Sequence, residues 1–231
     1  MQTIHPVDLG VIGYQECYSL QCRLVALRAA GEIEDTLLLL EHPPVITIGT
    51  AGGRDSMLVS PEALEKAGVE VIETNRGGNI TYHGPGQLVG YPIIDLHSYD
   101  KDVHRILRNL EQTIIDSLVD FGISGEALPE LTGVWVGGDK ICSIGLAVRK
   151  WVTYHGFSLN VEPDFSHWSM IHPCGLTGRR VTSIEKLIGR NPGMAAVKDS
   201  VAEKLAKVLD TTIEPMGKDD LLTLVEKADN R

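Results

Sequence analysis

Apolar residues recur at the spacing of an α-helix in three parts of the chain. The ranges are 14–30, 102–121 and 194–209, and Gly31 and Gly122 directly follow the first two. A stripe of apolar residues at every third or fourth position marks the face that packs on a core. Glycine is the usual residue just past a helix end. The pattern predicts three amphipathic helices over these ranges.

Two shorter helices are indicated by their start signals. Ser60 followed by Pro61 is typical of a helix N-terminus, because proline has no backbone N–H to leave unpaired there. Thr182 and Glu185 stand three positions apart, the spacing of a capping box. We expect short helices at both places, the second capped by Thr182.

Short apolar runs bounded by turn residues predict strands. The runs 35–41 and 45–48 flank His42-Pro43-Pro44, and a double proline cannot continue a central sheet ladder. Further strands are predicted over 69–74, 91–96, 133–136, 140–149 and 151–159. The last three follow one another through short turns, as in an antiparallel meander.

Strands and helices do not alternate strictly, and this decides the fold class. We predict an α+β fold with a mixed, largely antiparallel sheet and helices packed on it. At 231 residues, the chain is expected to form one domain, 1–231, in which the last ~30 residues are a candidate small helical lobe.

Composition and charge narrow the classes of function. Apolar residues make up 43% of the chain and charged residues 23%, as in an ordinary globular protein. No apolar run is long enough to cross a bilayer, and the first residues lack the pattern of a secretory signal, so we expect a cytoplasmic protein. A formal net charge of −10 argues against a nucleic-acid partner. Arg149–Lys150 and Arg179–Arg180 are local basic clusters that could meet an acidic partner or simply be solvated.

The stretch RGGNITYHGPGQLVGYP has an unusual density of glycine, five in the fifteen residues 76–90. It matches neither a Walker A loop nor a dinucleotide-binding fingerprint. Glycines at 77, 78, 84 and 86 allow close approach of an elongated ligand and expose amides, or they form tight turns and bulges. His83 within the stretch is either a proton carrier or a ring that supports the loop.

Cys174 differs in its surroundings from the other three cysteines. It lies between Pro173 and Gly175 in a predicted loop, whereas Cys17, Cys22 and Cys142 fall in predicted helices or strands. Cys17 and Cys22 are about 140° apart around a helix axis, so we expect no metal site and treat these three as small buried hydrophobes. Lys140 begins the apolar run KICSIGLAV, where it either marks the solvent edge or serves as a partly buried base.

Four runs occur in a fixed order: RGGNITYHGPGQLVGYP, DKICSIGLAV, HGFSLNV and IHPCGLTGRRVTS. Together with LGVIGYQEC and EHPPVITIG they resemble the lipoyl(octanoyl) transferases, and the likeness extends over residues 9–187. The segment GTAGGRDSM matches more loosely. The resemblance implies a fold like the catalytic module of biotin and lipoate protein ligases, an α+β sheet with helices over one face.

The resemblance also implies the residues of the site. The family nucleophile falls on Cys174 and its partner lysine on Lys140. Substrate-binding positions fall on Arg76, Gly77, Gly78, Asn79, Ile80, Thr81, Tyr82, His83, Ser143, Ile144, Gly145, Gly156, Phe157 and Ser158.

The implied reaction moves an octanoyl group from octanoyl-acyl carrier protein to a lysine of lipoyl domains of 2-oxoacid dehydrogenase complexes or of the glycine cleavage H protein. A thioester on Cys174 would be the intermediate, without ATP, cofactor or metal. We expect a monomer that contacts neither nucleic acid nor membrane.

Two other functions remain open from the sequence. One is an ATP-dependent lipoate or biotin ligase on the same scaffold, which needs no cysteine. The other is a noncatalytic protein that binds an acyl carrier or a lipid, in which Cys174 is incidental. Turnover against a lipoyl-domain acceptor and sensitivity to thiol alkylation separate the three.

Overall fold

The computed structural model describes residues 2–129, 131–171 and 180–229. Its strands are β1 Thr3–Val11, β2 Asp35–Glu41, β3 Val45–Ile48, β4 Glu70–Glu73, β5 Ile80–His83, β6 Gln87–Ile93, β7 Glu126–Leu128, β8 Leu131–Val136, β9 Asp139–Arg149, β10 Val152–Asn160 and β11 Thr212–Ile213. Its α-helices are α1 Tyr14–Ala29, α2 Pro61–Lys66, α3 Val103–Val119, α4 Ile184–Ile188, α5 Met194–Leu209 and α6 Lys218–Asp229.

Eight strands form the main sheet, in the order β11-β1-β2-β6-β10-β9-β8-β7. The pairs β11–β1 and β1–β2 are parallel, and every later pair is antiparallel. A second sheet has the order β4-β3-β5, with β3 parallel to β4 and antiparallel to β5. The predicted α+β class with a mixed, largely antiparallel sheet is therefore confirmed.

Helices cover both faces of the main sheet, so the implied placement over one face is wrong. Successive leucines of β2 alternate between two cores: Leu37 and Leu39 pack with α3 and α5, while Leu38 and Leu40 pack with α1 and α6. Side chains of a strand alternate in direction, so a fully apolar strand needs an apolar layer on each side. Among the helices of the described ranges, none is long and apolar enough to cross a membrane.

The second sheet has its own small core. Ile46, Ile80 and Tyr82 pack there with Leu64 of α2 and with Trp168. Trp168 belongs to a 3-10 helix, Phe165–Met170, inside the predicted loop of 161–181. Strand β5 of the second sheet faces the main sheet across the cavity described below. The position of the second sheet therefore shapes the site.

Several helix boundaries follow the expected caps. The Asp102 side chain accepts a hydrogen bond from the Arg105 N–H at the start of α3, at 3.0 Å. Gly31 and Gly122 adopt positive φ just past their helices. The cap of α4 is Ser183, which accepts from Lys186 N–H at 3.2 Å, so the prediction that Thr182 caps this helix is wrong by one residue.

The C-terminal residues lie against the first strand and helix. β11 extends the main sheet beside β1, and Leu221 and Val225 of α6 pack in the core beneath α1. That residues 1–231 form a single domain stays a prediction.

Candidate functional site: a slot between the two sheets

A slot of about 360 Å³ lies between the second sheet and strands β9 and β10 of the main sheet. Residues of β5, β9 and β10 line it, together with the loop 76–79 that precedes β5. Its volume is typical of a site for a small molecule or an acyl chain. Among the described residues that line it, the charged ones are Arg76 and Lys140, and none is acidic.

The glycines of the slot permit close backbone contacts. Gly77 crosses β9, where its N–H donates to the Leu146 carbonyl at 2.9 Å. A Cβ on Gly145 would lie 2.6 Å from the Gly77 carbonyl oxygen, and one on Gly156 would lie 2.1 Å from the Gly90 oxygen. Side chains at these two positions would separate the elements that form the slot. Gly77 thus lets the loop backbone approach β9, and the close approach of a ligand to the stretch stays a prediction.

Arg76 fixes the glycine-rich loop to the second sheet. Its guanidinium donates to the Thr47 carbonyl at 2.6 Å, to the Thr47 hydroxyl at 3.0 Å and to the Gly77 carbonyl at 3.0 Å. The residue is buried, and the planar fork of arginine suits several simultaneous acceptors. Arg76 therefore places a positive charge in the slot wall while it holds the loop.

Lys140, near the start of β9, also lines the slot and is only 7% exposed. Its ammonium stands 4.8 Å from the centroid of the Trp135 ring. The Lys140 N–H donates to the Arg180 carbonyl at 3.0 Å, and the Lys140 carbonyl accepts from Thr182 N–H at 2.9 Å. The segment 180–182 thus pairs with the strand here. Because Lys140 is buried, its interpretation as a solvent-edge residue is wrong.

Polar rings line the deep part of the slot. They belong to Tyr14, His83, Tyr91 and His155, each buried. His83 Nδ1 lies 2.7 Å from Gln87 Oε1, and His155 Nε2 lies 2.8 Å from Asn75 Oδ1. These bonded atoms have their partners outside the slot, whereas His155 Nδ1 is buried with no hydrogen-bond partner among the described residues.

Burial keeps these histidines neutral. Loss of hydration lowers the pKa of His83 to about 3, helped by the neighbouring His42, and lowers that of His155 to about 3, helped by the Arg76 charge. Loss of hydration also raises the pKa of Tyr14, and that of Tyr91 well above 10.0. At neutral pH the deep wall is uncharged apart from Arg76, and the role of His83 as a supporting ring is favoured over that of a proton carrier.

The structure brings nearly all the residues implied by the resemblance into one cavity. The slot is lined by Lys140, by every implied position of 76–81 and His83, and by 143–145 and 156–158. Tyr82 is not among its lining residues: the Tyr82 hydroxyl is 3.0 Å from His167 Nδ1 and its ring contacts Trp168. In β5 this ring belongs to the core of the second sheet.

Cys174 falls in 172–179, outside the residues that the structure describes. The flanking residues are placed: Ile171 bridges to Met57, and Val181 bridges to Lys140. The other cysteines behave as expected in part, because Cys17 and Cys142 are buried and Cys22 is half-buried. Burial raises the pKa of the Cys17 thiol to about 12 and also raises that of Cys142.

Sequence reasoning missed three residues of the deep wall, Tyr14, Tyr91 and His155. Each stands in a run that carried the resemblance, LGVIGYQEC, RGGNITYHGPGQLVGYP or HGFSLNV, but none was given a role. His155 has φ 55 within β10, a left-handed conformation that is uncommon for a side-chain-bearing residue. Such strain is visible only in three dimensions.

Comparisons with known proteins agree with this geometry. The model of the lipoyl protein ligase A/B catalytic domain matches residues 13–206. An octanoyltransferase of Caldicellulosiruptor bescii is 50% identical over 220 residues, which covers 94% of this chain and 96% of that protein.

Solved structures share the fold at low sequence identity. A bipartite lipoate protein ligase from Thermoplasma acidophilum, described with its E2 lipoyl domain, superposes with a TM-score of 0.75 at 15% identity, over 100% of this chain and 93% of that chain. Biotin protein ligase from Aquifex aeolicus, in complex with biotin and ATP, gives 0.55 at 12% identity, over 91% and 71%. The fold expected from the resemblance is thereby confirmed. The chain belongs to the family of the lipoyl protein ligase A/B catalytic domain and, within it, to the octanoyltransferases, the acyltransferases of protein lipoylation.

Proposed function

We propose that this octanoyltransferase takes its acyl group from octanoyl-acyl carrier protein and delivers it to a specific lysine of lipoyl domains, including that of the glycine cleavage H protein. The acyl group passes through a thioester on Cys174, with Lys140 as its partner, and no ATP is used. One observation carries the proposal: the buried Lys140 lines the slot and is hydrogen-bonded through its backbone to Arg180, six residues after Cys174.

The connection between Lys140 and 180–182 supports this pairing. Two backbone hydrogen bonds hold Lys140 between Arg180 and Thr182. On the other side, Ile171 precedes Cys174 by three residues and is packed in the core of the second sheet. Both ends of the segment are therefore attached to elements that line or support the slot.

Lys140 supplies the charge that a reactive cysteine needs. A free thiol with a pKa near 8.5 is only a few per cent ionised at neutral pH. Lowering that pKa by about two units takes roughly 2.7 kcal/mol of preferential stabilisation of the thiolate. An ammonium near contact in a partly dehydrated site is able to supply this.

The first half-reaction exchanges one thioester for another. The Cys174 thiolate attacks the carbonyl carbon of the octanoyl thioester, a new C–S bond forms, and the bond to the carrier's phosphopantetheine sulfur breaks. The departing thiolate takes a proton from Lys140. The products are octanoyl-Cys174 and the free carrier thiol, with Lys140 left neutral.

The second half-reaction forms the amide. The acceptor lysine amine attacks the thioester carbonyl, its proton passes to Lys140, and the C–S bond breaks to return Cys174 as a thiolate beside the Lys140 ammonium. A lipoyl-domain acceptor is supported by the Thermoplasma acidophilum ligase of the same fold, which is described with its E2 lipoyl domain. The slot, with Ile80, Ile144 and Phe157 among its walls, holds the hydrocarbon chain.

Intact mass spectrometry tests the proposal. We expect one octanoyl adduct after the full chain is mixed with octanoyl-acyl carrier protein, its location at Cys174 in a peptide digest, and its loss when lipoyl domain is added. Cys174→Ser abolishes the adduct. The matched control Cys22→Ser, which removes the half-buried thiol of α1, retains it.

Three results would point elsewhere. An unmodified chain would refute the Cys174 intermediate. ATP-dependent attachment of free octanoate to the lipoyl domain would identify a ligase. An adduct that never transfers to an acceptor would favour a noncatalytic acyl-binding protein.

A further inference from the structure

Tyr14 separates the slot from a second cavity on the outside of the molecule. Its side chain is 3% exposed and lines both spaces. The outer cavity measures about 340 Å³ and is bordered by Gln15, Glu73 and Asn75, which are exposed. Tyr14 is thus a wall residue common to the slot and the outer cavity.

His155 continues the same wall. It lines the slot, while its ring nitrogen Nε2 is hydrogen-bonded to Asn75 and its ring stacks on Tyr18 at 5.5 Å. Asn75 and Tyr18 both line the outer cavity. The His155 N–H donates to Gln21 Oε1 at 2.8 Å. His155 is thus fixed in place by α1 and by the loop before Arg76.

Contacts on several sides hold the Tyr14 ring across the end of the slot. Its hydroxyl donates to the Thr74 hydroxyl at 3.1 Å. The ring lies 5.2 Å from the His42 ring and is stacked on His83 at 6.4 Å. A buried ring with this many contacts has little freedom to move aside for a ligand.

We propose that Tyr14 determines the longest acyl chain that the slot accepts. The inference rests on the proposed function, in which the slot holds the acyl chain. The methyl end of a chain that fits stops at the Tyr14 ring, and a longer chain would have to displace that ring from its packed position. Removal of the ring joins the slot to the outer cavity and gives additional methylene groups a place to bind.

Binding of free fatty acids to the full chain tests this without any transfer step. The probes are sodium octanoate and sodium dodecanoate, each below its micelle concentration, and the measurement is isothermal titration calorimetry. We expect the unmodified chain to prefer octanoate. Tyr14→Ala binds dodecanoate more tightly than the unmodified chain does, by at least about tenfold, because newly buried methylenes are favourable.

Two variants control for the change of shape. Tyr14→Phe retains the ring, loses only the bond to Thr74, and keeps the octanoate preference. Gln15→Ala alters an exposed neighbour that lines only the outer cavity, and it leaves both affinities unchanged. A dodecanoate gain in Gln15→Ala equal to that in Tyr14→Ala would overturn the proposal.

The outcomes also separate this inference from the function on which it rests. If the unmodified chain binds neither acid, the proposal that the slot binds an acyl chain is refuted, and the proposed role of Tyr14 is refuted as well. If it prefers octanoate but Tyr14→Ala, shown by circular dichroism to be folded, gains nothing for dodecanoate, only the role of Tyr14 is refuted. Should Tyr14→Ala fail to fold, Tyr14→Leu takes its place and is expected to show the same gain in dodecanoate affinity. No gain in that variant would refute the role of Tyr14.

Discussion

At the scale of single residues, burial separates the interpretations that the sequence left open. Lys140 was open to two interpretations, a solvent-edge residue or a site residue, and its burial in the slot wall excludes the first. The imidazole of His83 is chemically able to carry protons, yet burial keeps it neutral, and it is hydrogen-bonded to Gln87. The role of Cys174 stays a prediction that rests on the resemblance and on the position of its flanking residues.

Lys140→Ala should shift the reactivity of Cys174 to higher pH. Without the ammonium, the thiolate loses its stabilisation and the pKa of the thiol returns toward 8.5. We expect the midpoint of iodoacetamide alkylation at Cys174, followed by peptide mass spectrometry, to rise by one unit or more. Lys66→Ala, on the exposed end of α2, serves as the control and leaves the midpoint in place. An unchanged profile in Lys140→Ala would remove Lys140 from its proposed role.

Arg76→Lys should weaken the glycine-rich loop although it preserves the charge. A single ammonium cannot reproduce the three hydrogen bonds to Thr47 and Gly77. Loss of buried bonds from a charged donor costs about 1.5–3 kcal/mol in the free energy of unfolding. Urea denaturation measures this loss, and Arg54→Lys, an exposed arginine paired with Glu73, is expected to cost far less.

At the scale of elements, boundaries set by local signals were predicted best. The strands Asp35–Glu41 and Val45–Ile48 and the helix Met194–Leu209 agree to the residue. The strand predicted over 91–96 actually spans Gln87–Ile93. Gly90 and Pro92 break its sequence pattern, but Gly90 makes room for the Phe157 ring, and pairing of β6 with β10 runs only from Gln87 to Gly90.

The strands β1, β5, β7 and β11 escaped prediction, and for β1 and β5 the reason is that their partners define them. β1 mixes Pro6 and polar residues with apolar ones, and pairing with β2 and β11 makes it a strand. β5 lies inside the glycine-rich stretch, pairs with β3 and is buried along its whole length. A window of local sequence contains neither contact, so local pattern alone does not predict these two strands.

Gly145→Ala should disturb the contact between β9 and the glycine-rich loop. The added Cβ would lie 2.6 Å from the Gly77 carbonyl oxygen, so the loop must move away from the strand. Forced overpacking of this kind costs about 1–3 kcal/mol, measurable by urea denaturation, and octanoate binding should weaken with it. Gly13→Ala is the matched control, since a Cβ there meets nothing within 4 Å. Equal losses in both variants would contradict the contact.

At the scale of the whole molecule, the slot exists because two sheets face each other. The main sheet has cores on both faces, and the second sheet closes over β9 and β10 near Gly77. Buried histidines occupy this junction: His42 donates from Nδ1 to the Ile12 carbonyl at 2.7 Å and accepts from the Tyr91 hydroxyl at 2.8 Å. The junction is held by these neutral rings together with the Arg76 guanidinium, which bonds to Thr47 and Gly77.

This arrangement predicts that the fold loses stability in mild acid. Burial lowers the pKa of His42 to about 4 and those of His83 and His155 to about 3, whereas an unfolded histidine has a pKa of about 6.5. Between these values the unfolded chain binds protons that the folded chain does not. Stability is therefore fully present above about pH 6.5 and falls as the pH drops toward 4, by up to about 1.4 kcal/mol per pH unit for each histidine.

Urea denaturation at pH 7, 6 and 5 measures this effect. The depressed carboxylate pKa values, such as those of Asp95 and Asp120, lie below the usual 3.8 and act only at lower pH. His104→Gln, at an exposed histidine of α3, should leave the slope unchanged. A free energy of unfolding that is constant from pH 7 to 5 would show that the three histidines are not buried neutral.

The sequence by itself determined which segments are amphipathic, where most helices and strands begin, the α+β class and, through four ordered motifs, the family. These properties depend on neighbours in the chain, on side-chain period and on residue type. The tertiary structure alone decided that Lys140 is buried, that Tyr82 belongs to a core instead of the slot, and that Tyr14, Tyr91 and His155 line the slot. Each of these depends on contacts between residues far apart in the chain, and burial and hydrogen bonding exist only once those contacts are made.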